Sequence, residues 1–203
     1  MTLPSSGSIS MSQVNVELGC SSNSQRRFGE TSVRTLFGVP SGQISMSNGW
    51  GKSNFPGALG TYQSSQGGYY TGTQSGYHLW VTTTSVSCYW KTTNTATTNA
   101  SSLTDGYTNT MCNANATHPA FQYADNLSAG GFSDWYVGAR CELQQQFDNR
   151  CCGTIPAYGT GLHWSSTEGT NIQGCALSFY NNTWSLDLKT CDDRTRPIRR
   201  SLI

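Results

Sequence analysis

The stretch that most limits the fold is residues 130 to 143, Gly-Gly-Phe-Ser-Asp-Trp-Tyr-Val-Gly-Ala-Arg-Cys-Glu-Leu. The glycine pair predicts a turn, because glycine takes positive φ without a Cβ penalty. Phe132, Trp135 and Tyr136 bring a dense aromatic load that has to be buried. Gly138 ends that run. Residues 139 to 148 then read as a helix, with Leu143 and Phe147 at the i, i+4 spacing of one buried face.

What surrounds this stretch is short of charge. Charged residues make up 11% of the 203, against about 25% in ordinary soluble domains. Glycine, serine, threonine and asparagine fill the gap, which suits short strands, many turns and an uncharged polar surface. The composition excludes a helical bundle and a charge-rich disordered tail. A net charge of +1 points to neither nucleic acid nor an anionic membrane. No run approaches the roughly 20 apolar residues of a membrane-spanning helix. Met1-Thr2-Leu3-Pro4-Ser5-Ser6-Gly7 lacks the basic start and apolar core of a secretory signal, so release by lysis or within a particle is the expectation. The eight cysteines fit either disulfides in an oxidising medium or small buried apolar residues. Their 105 possible pairings leave connectivity open. No C-x-x-C pair and no histidine at finger spacing supports zinc.

Along the chain, a repeat comes first. Pro4-Ser5-Ser6-Gly7-Ser8-Ile9-Ser10-Met11-Ser12 returns as Pro40-Ser41-Gly42-Gln43-Ile44-Ser45-Met46-Ser47. Each copy predicts a turn, a short extended Ile-Ser-Met, and then a serine that caps a brief helix. Between them, residues 32 to 38 read as a short helical turn closed by Gly38. Two copies are too few to stand alone as a solenoid, which predicts a partner for this region. Residues 48 to 76 read as a partly ordered connector, and 77 to 91 as one or two strands rich in aromatic and β-branched residues. Residues 92 to 115 read as a threonine- and asparagine-rich loop. A helix follows over 118 to 127, with Pro119 in its first turn. After the 130 to 143 stretch and a loop over 149 to 161, strands are expected at 163–167, 175–180, 183–188 and 195–203. Asn181-Asn182 signals a two-residue hairpin. The expectation is an α+β fold: an attachment region over 1–70 and a domain over 71–203 with two helices and short antiparallel strands.

Five ordered motifs in residues 105 to 200 carry a resemblance. They are Asp105-Gly106-Tyr107-Thr108-Asn109-Thr110, His118-Pro119-Ala120, the 130 to 143 stretch, Trp164-Ser165-Ser166-Thr167-Glu168 and Arg196-Pro197-Ile198-Arg199-Arg200. Together they resemble a bacterial and phage family with a C-type-lectin-like fold, the DUF1566 or Lcl C-terminal type. The N-terminal repeat resembles a segment common in tail and fibre proteins of tailed phages, including cyanophages. The chain departs from the family in having Val137-Gly138-Ala139 where Leu-Pro-Ser is usual. Asp148-Asn149-Arg150-Cys151-Cys152 likewise replaces a Tyr-x-Asn-Leu segment. The Glu-Pro-Asn or Gln-Pro-Asp tripeptide of calcium-dependent sugar-binding relatives is missing, so no metal is expected.

The resemblance implies a non-catalytic protein of the phage tail, fibre or baseplate. Its C-terminal domain would recognise a glycan or protein on the host surface, and its N-terminal region would bind other virion proteins. A homo-oligomer, with a trimer favoured, follows from the repeat's need for a partner. Localisation in the virion, no cofactor, no nucleic acid and no membrane insertion complete the expectation. A purely structural baseplate role and a surface polysaccharide hydrolase are the alternatives. No G-x-S-x-G elbow occurs. His118, Asp134, Glu142 and the Cys151-Cys152 pair read as capping or structural residues. Trp135, Glu142, Trp164 and Arg196 read as structural motif residues. In the resembled fold, ligand contacts come from loops on the late-strand side, here 150 to 162, 168 to 174 and 190 to 193. That makes Tyr158, Asn171, Gln173, Asp192 and Asp193 the candidates. Trp184 joins them, since a ring face stacks on a pyranose while amides and carboxylates meet its hydroxyls.

Overall fold

The computed structural model describes residues 3–18, 20–49 and 57–202. The chain divides into two compact units, one ending at Gly57 and one spanning Ala58–Leu202. The second unit begins ahead of residue 70, because residues 62 to 74 pair into its sheet.

In the first unit the sequence repeat is a structural repeat. Gly7 and Gly42 both take positive φ, at 84° and 80°. Ile9 is buried, and Ile44 packs half-buried against the same cluster. The next serine then starts a helix. Ser10 caps α1 (Met11–Glu17): its hydroxyl accepts from Gln13 N, and Gln13 Oε1 accepts from Ser10 N at 2.7 Å. Ser45 N donates to Asn48 Oδ1 at 2.7 Å ahead of a 3-10 turn over Met46–Gly49. The cap therefore precedes the methionine. Burial of the isoleucine sets the register and leaves Ser12 inside the helix. Between the copies, α2 (Thr31–Phe37) ends at Gly38 in the left-handed region, φ 71°. Leu3, Ile9, Val14, Val33, Leu36 and Phe37 form a cluster, so the repeat segment encloses a small core that its sequence did not promise.

The second unit is mixed α and β. One sheet runs in the order β1 (Tyr62–Gln63), β2 (Gly68–Gln74), β3 (Tyr77–Val81), β9 (Ile198–Leu202), all antiparallel. The other runs β4 (Val86–Tyr89), β8 (Asp192–Thr195), β5 (Leu162–Glu168), β6 (Gln173–Ser178), β7 (Thr183–Leu188). It is antiparallel except for the His163–Arg194 bridge between β5 and β8. Three helices complete the unit: α3 (Gly106–Met111), α4 (Pro119–Asp125) and α5 (Arg140–Asn149).

The predicted strand over 195–203 divides at Arg196-Pro197 into β8 and β9, which join different sheets. Helix α3 falls within the predicted loop. It lacks an apolar stripe; Asn109 and Thr110 are buried through hydrogen bonds instead, to Ser102 O, Ser166 Oγ and Val137 O. The Asn181-Asn182 signal marks a turn of four residues, 179 to 182, between paired Ser178 and Thr183.

Residues 135 to 137 lie between two cores. Tyr136 packs with Leu79, Leu143, Phe147 and Ile198. Its neighbour Val137 packs with Trp90, Phe121 and Trp164. Successive side chains of an extended backbone point to opposite faces, so this short segment serves both clusters. It is held by a two-way bridge, Tyr136 N to Ile198 O at 2.7 Å and Ile198 N to Tyr136 O at 2.8 Å. Helix α5 then docks on β2. A register shift between Tyr70 and Gly72 frees Thr71 O from the ladder, and the Gln145 and Asn149 amides donate to it.

Candidate functional site

Three loops meet around two buried lysines. The chain has only three lysines, and Lys91 and Lys189 are 9% and 0% exposed. The Lys189 ammonium donates to Thr95 O at 2.8 Å, to Asn171 O at 2.9 Å and to the Glu168 carboxylate. It also lies 4.8 Å from the Trp90 ring centre. Lys91 Nζ donates to Ala96 O at 2.7 Å, Thr97 Oγ1 at 3.2 Å and Thr95 O at 3.3 Å. Glu168 accepts in turn from Thr97 N at 2.8 Å. Asn94 Nδ2 donates to Thr190 Oγ1 at 3.2 Å. Loops 92–97, 169–172 and 189–191 are thus fastened to one another by fixed charge from inside.

The outer face of this cluster is neutral and polar. Thr92, Thr93, Asn94, Thr95, Thr170 and Asn171 are all exposed. Backbone carbonyls that a bound cation would gather are gathered here by two ammonium groups. Burial lowers the Lys189 pKa, opposed by Glu168. Beneath, the His118 ring stacks parallel to Phe121 and bonds to Thr97 Oγ1 at 3.3 Å. Burial, then the charges of Lys91 and Lys189, hold its pKa down to about 4.

The candidate ligand residues do not form one site. Asn171 and Gln173 lie at the lysine-held loops. The Gln173 amide is spent internally, donating to Leu186 O at 3.0 Å. Asp192 is exposed on β8. Asp193 is half-buried; burial and the nearby Asp187 carboxyl raise its pKa to about 6. Tyr158 faces inward, 6% exposed, stacked on Phe179 with ring centroids 3.7 Å apart and bonded to Gln146 at 3.0 Å. Its ring has no free face for a ligand, since Arg196 covers it at 4.2 Å. Trp184 lies towards the other end of β7, half-buried beside α5, its indole N–H on Gln144.

The motif residues sit inside. Trp135 and Trp164 are 0% and 1% exposed. Glu142 Oε1 accepts from the Tyr136 hydroxyl at 2.7 Å; Oε2 accepts from Gly106 N at 3.0 Å and Ala139 N at 2.7 Å. Burial outweighs these donors and lifts the carboxyl to about 7. Arg196 Nε donates to Thr82 O at 2.8 Å. Arg199 pairs with both Asp134 oxygens, at 2.8 and 3.0 Å. Gly106 has no room for a side chain, since a Cβ there would meet Ala139 N, Val137 O and Glu142 Oε2.

Among the described residues, no three His, Cys, Asp or Glu side chains converge on a metal-sized point. All eight cysteines are free thiols. No helix among the described residues is long and apolar enough to cross a membrane.

The loop-fastening lysines escape sequence reasoning. The available signal is that Lys91 and Lys189 each end an aromatic or apolar strand pattern, at Trp90 and Leu188, in a chain with few lysines. No known family model matches the chain, and neither does any curated protein.

Proposed function

We propose that this chain is a non-catalytic attachment protein of a tailed-phage virion, its second unit a C-type-lectin-like domain that recognises a glycan or protein on the host surface. One observation carries the reading: three loops rich in threonine and asparagine are tied together from within by Lys91 and Lys189. A surface ordered before contact loses less entropy on binding. Hydroxyl and amide groups suit a hydroxyl-rich ligand, and the internal ammonium groups make a metal unnecessary for loop order. The lectin-like reading is further supported by the pairing of β3 with the last strand, β9, and by helices α4 and α5 flanking the motif stretch. The first unit, with its doubled turn-and-cap, is proposed to bind other tail or baseplate proteins. It would also hold several copies, a trimer being favoured, so that weak single sites gain avidity.

A second reading, a baseplate component that binds only other virion subunits, draws on Ile172, Leu186 and Leu188. These are 47%, 48% and 40% exposed, beside the free edge of the second sheet. Electron cryomicroscopy of a particle carrying this chain separates the two. Loops 92–97 and 169–172 pointing outward from the tail support attachment. The same loops buried against neighbouring subunits overturn it in favour of the structural role.

A further inference from the structure

The most exposed aromatic side chain among the described residues is held on a fixed support. In the turn between β6 and β7, Phe179 points in and Tyr180 points out. Phe179 is 4% exposed and stacks on Tyr158; Tyr180 is 75% exposed. The turn closes through Asn182, which takes φ 58° and donates its N–H to Ser178 O at 3.0 Å.

Beside it runs a polar stripe on α5. Arg140, Gln144 and Asp148 are spaced by four and so share one helix face. Gln144 Nε2 donates to Asp148 Oδ1 at 2.9 Å and to Asn182 Oδ1 at 3.1 Å, which ties helix to turn. Its Oε1 accepts from Trp184 Nε1 at 3.0 Å. Arg140 lies over the Trp184 ring at 4.8 Å. With its oxygen engaged, Asn182 keeps its NH2 group as a donor; Asp148 keeps a second carboxylate oxygen as acceptor, and Arg140 its guanidinium donors.

We infer that this hairpin tip and the Arg140–Gln144–Asp148 stripe form a binding site for a hexopyranose residue, with Tyr180 as the stacking platform. The inference rests on the saccharide side of the proposed function and adds a site separate from the lysine-held loops. The physical basis is complementarity. A pyranose has an apolar C–H face for the tyrosine ring and a rim of hydroxyls for the amide, carboxylate and guanidinium. Phe179 and Gln144 already fix the turn, so little order is left to be imposed on binding.

The test is a glycan array of hexopyranose oligosaccharides probed with the full chain as wild type, Tyr180→Ala, Tyr180→Phe and Asn171→Ala. Binding by the wild type should fall about tenfold or more in Tyr180→Ala and stay within about twofold in Tyr180→Phe, with melting unchanged in both. Wild-type binding that survives Tyr180→Ala, or is lost only in Asn171→Ala, overturns the inference and leaves the wider reading standing. A lowered melting point in Tyr180→Ala makes the residue structural and also overturns it. An array blank for the wild type removes both the inference and the glycan reading.

Discussion

The Tyr136 hydroxyl donates to Glu142 Oε1 at 2.7 Å, with both residues buried. Through its other oxygen, Glu142 also holds the first amide of α3 and the residue before α5. One carboxyl thus joins the aromatic segment to two helices. Replacing it by alanine strands buried donors, and Glu142→Ala should cost about 3 kcal/mol in urea denaturation.

The same residue sets a pH dependence. Folded Glu142 keeps its proton up to about 7, against an ordinary value of 4.5. Its contribution is therefore fully present below pH 4.5 and is lost as pH rises through 7. The stability difference between wild type and Glu142→Gln, measured at pH 5.5 and pH 8, should shift against the wild type at the higher pH.

The histidines act in the opposite direction. His118 and His163 are lowered from 6.5 to about 4, burial being the largest cause in each. Neutral imidazole is the folded form, so stability is present above pH 6.5 and is lost as pH falls towards 4. Denaturation midpoints of His163→Gln should decline less steeply than those of the wild type between pH 6.5 and pH 4.

Lys189→Met would leave Glu168 without its cation. Breaking a buried ion pair from one side costs about 3–5 kcal/mol. Amide hydrogen exchange should then quicken in loops 92–97 and 169–172, because Thr95 O and Asn171 O lose their shared donor. Adding Glu168→Leu should recover part of the stability but not the slow exchange.

In the first unit, the position of the cap can be read by alanine substitution. Ser10→Ala should destabilise by about 1 kcal/mol, the usual worth of a capping hydroxyl. Ser12→Ala, inside α1, should leave stability unchanged or slightly improved. Thermal melts of the two variants make the comparison, and equal losses would contradict the assigned cap.

Much of the fold could be read where local pattern and final packing agree. Helix α5 follows from Leu143 and Phe147, α4 from Pro119, and the β6–β7 hairpin from Asn181-Asn182. What escaped reading depends on partners far along the chain. Segment Gly68–Gln74 looks like a connector, because its glycines hide a strand that exists only through pairing with Tyr77–Val81. Tyr158 sits in a loop by sequence and becomes a core residue only once Phe179, more than a β-strand away, stacks on it. Buried lysines run against composition rules, since Lys189 is tolerable only because Glu168 and two carbonyls converge on it. Around Lys189, the sequence marks 168 to 174 as a loop, but not that a lysine 18 residues past Asn171 ties it down.

The proposed activity is metal-independent, non-catalytic recognition of a surface saccharide. The most direct measurement is binding of the full chain to a glycan array with and without EDTA, with the bound oligosaccharides then weighed by mass spectrometry. The expected result is binding to at least one hexose-containing glycan, unchanged by EDTA, with the glycan recovered at full length. Absence of binding, loss of binding in EDTA, or shortened glycan would contradict it.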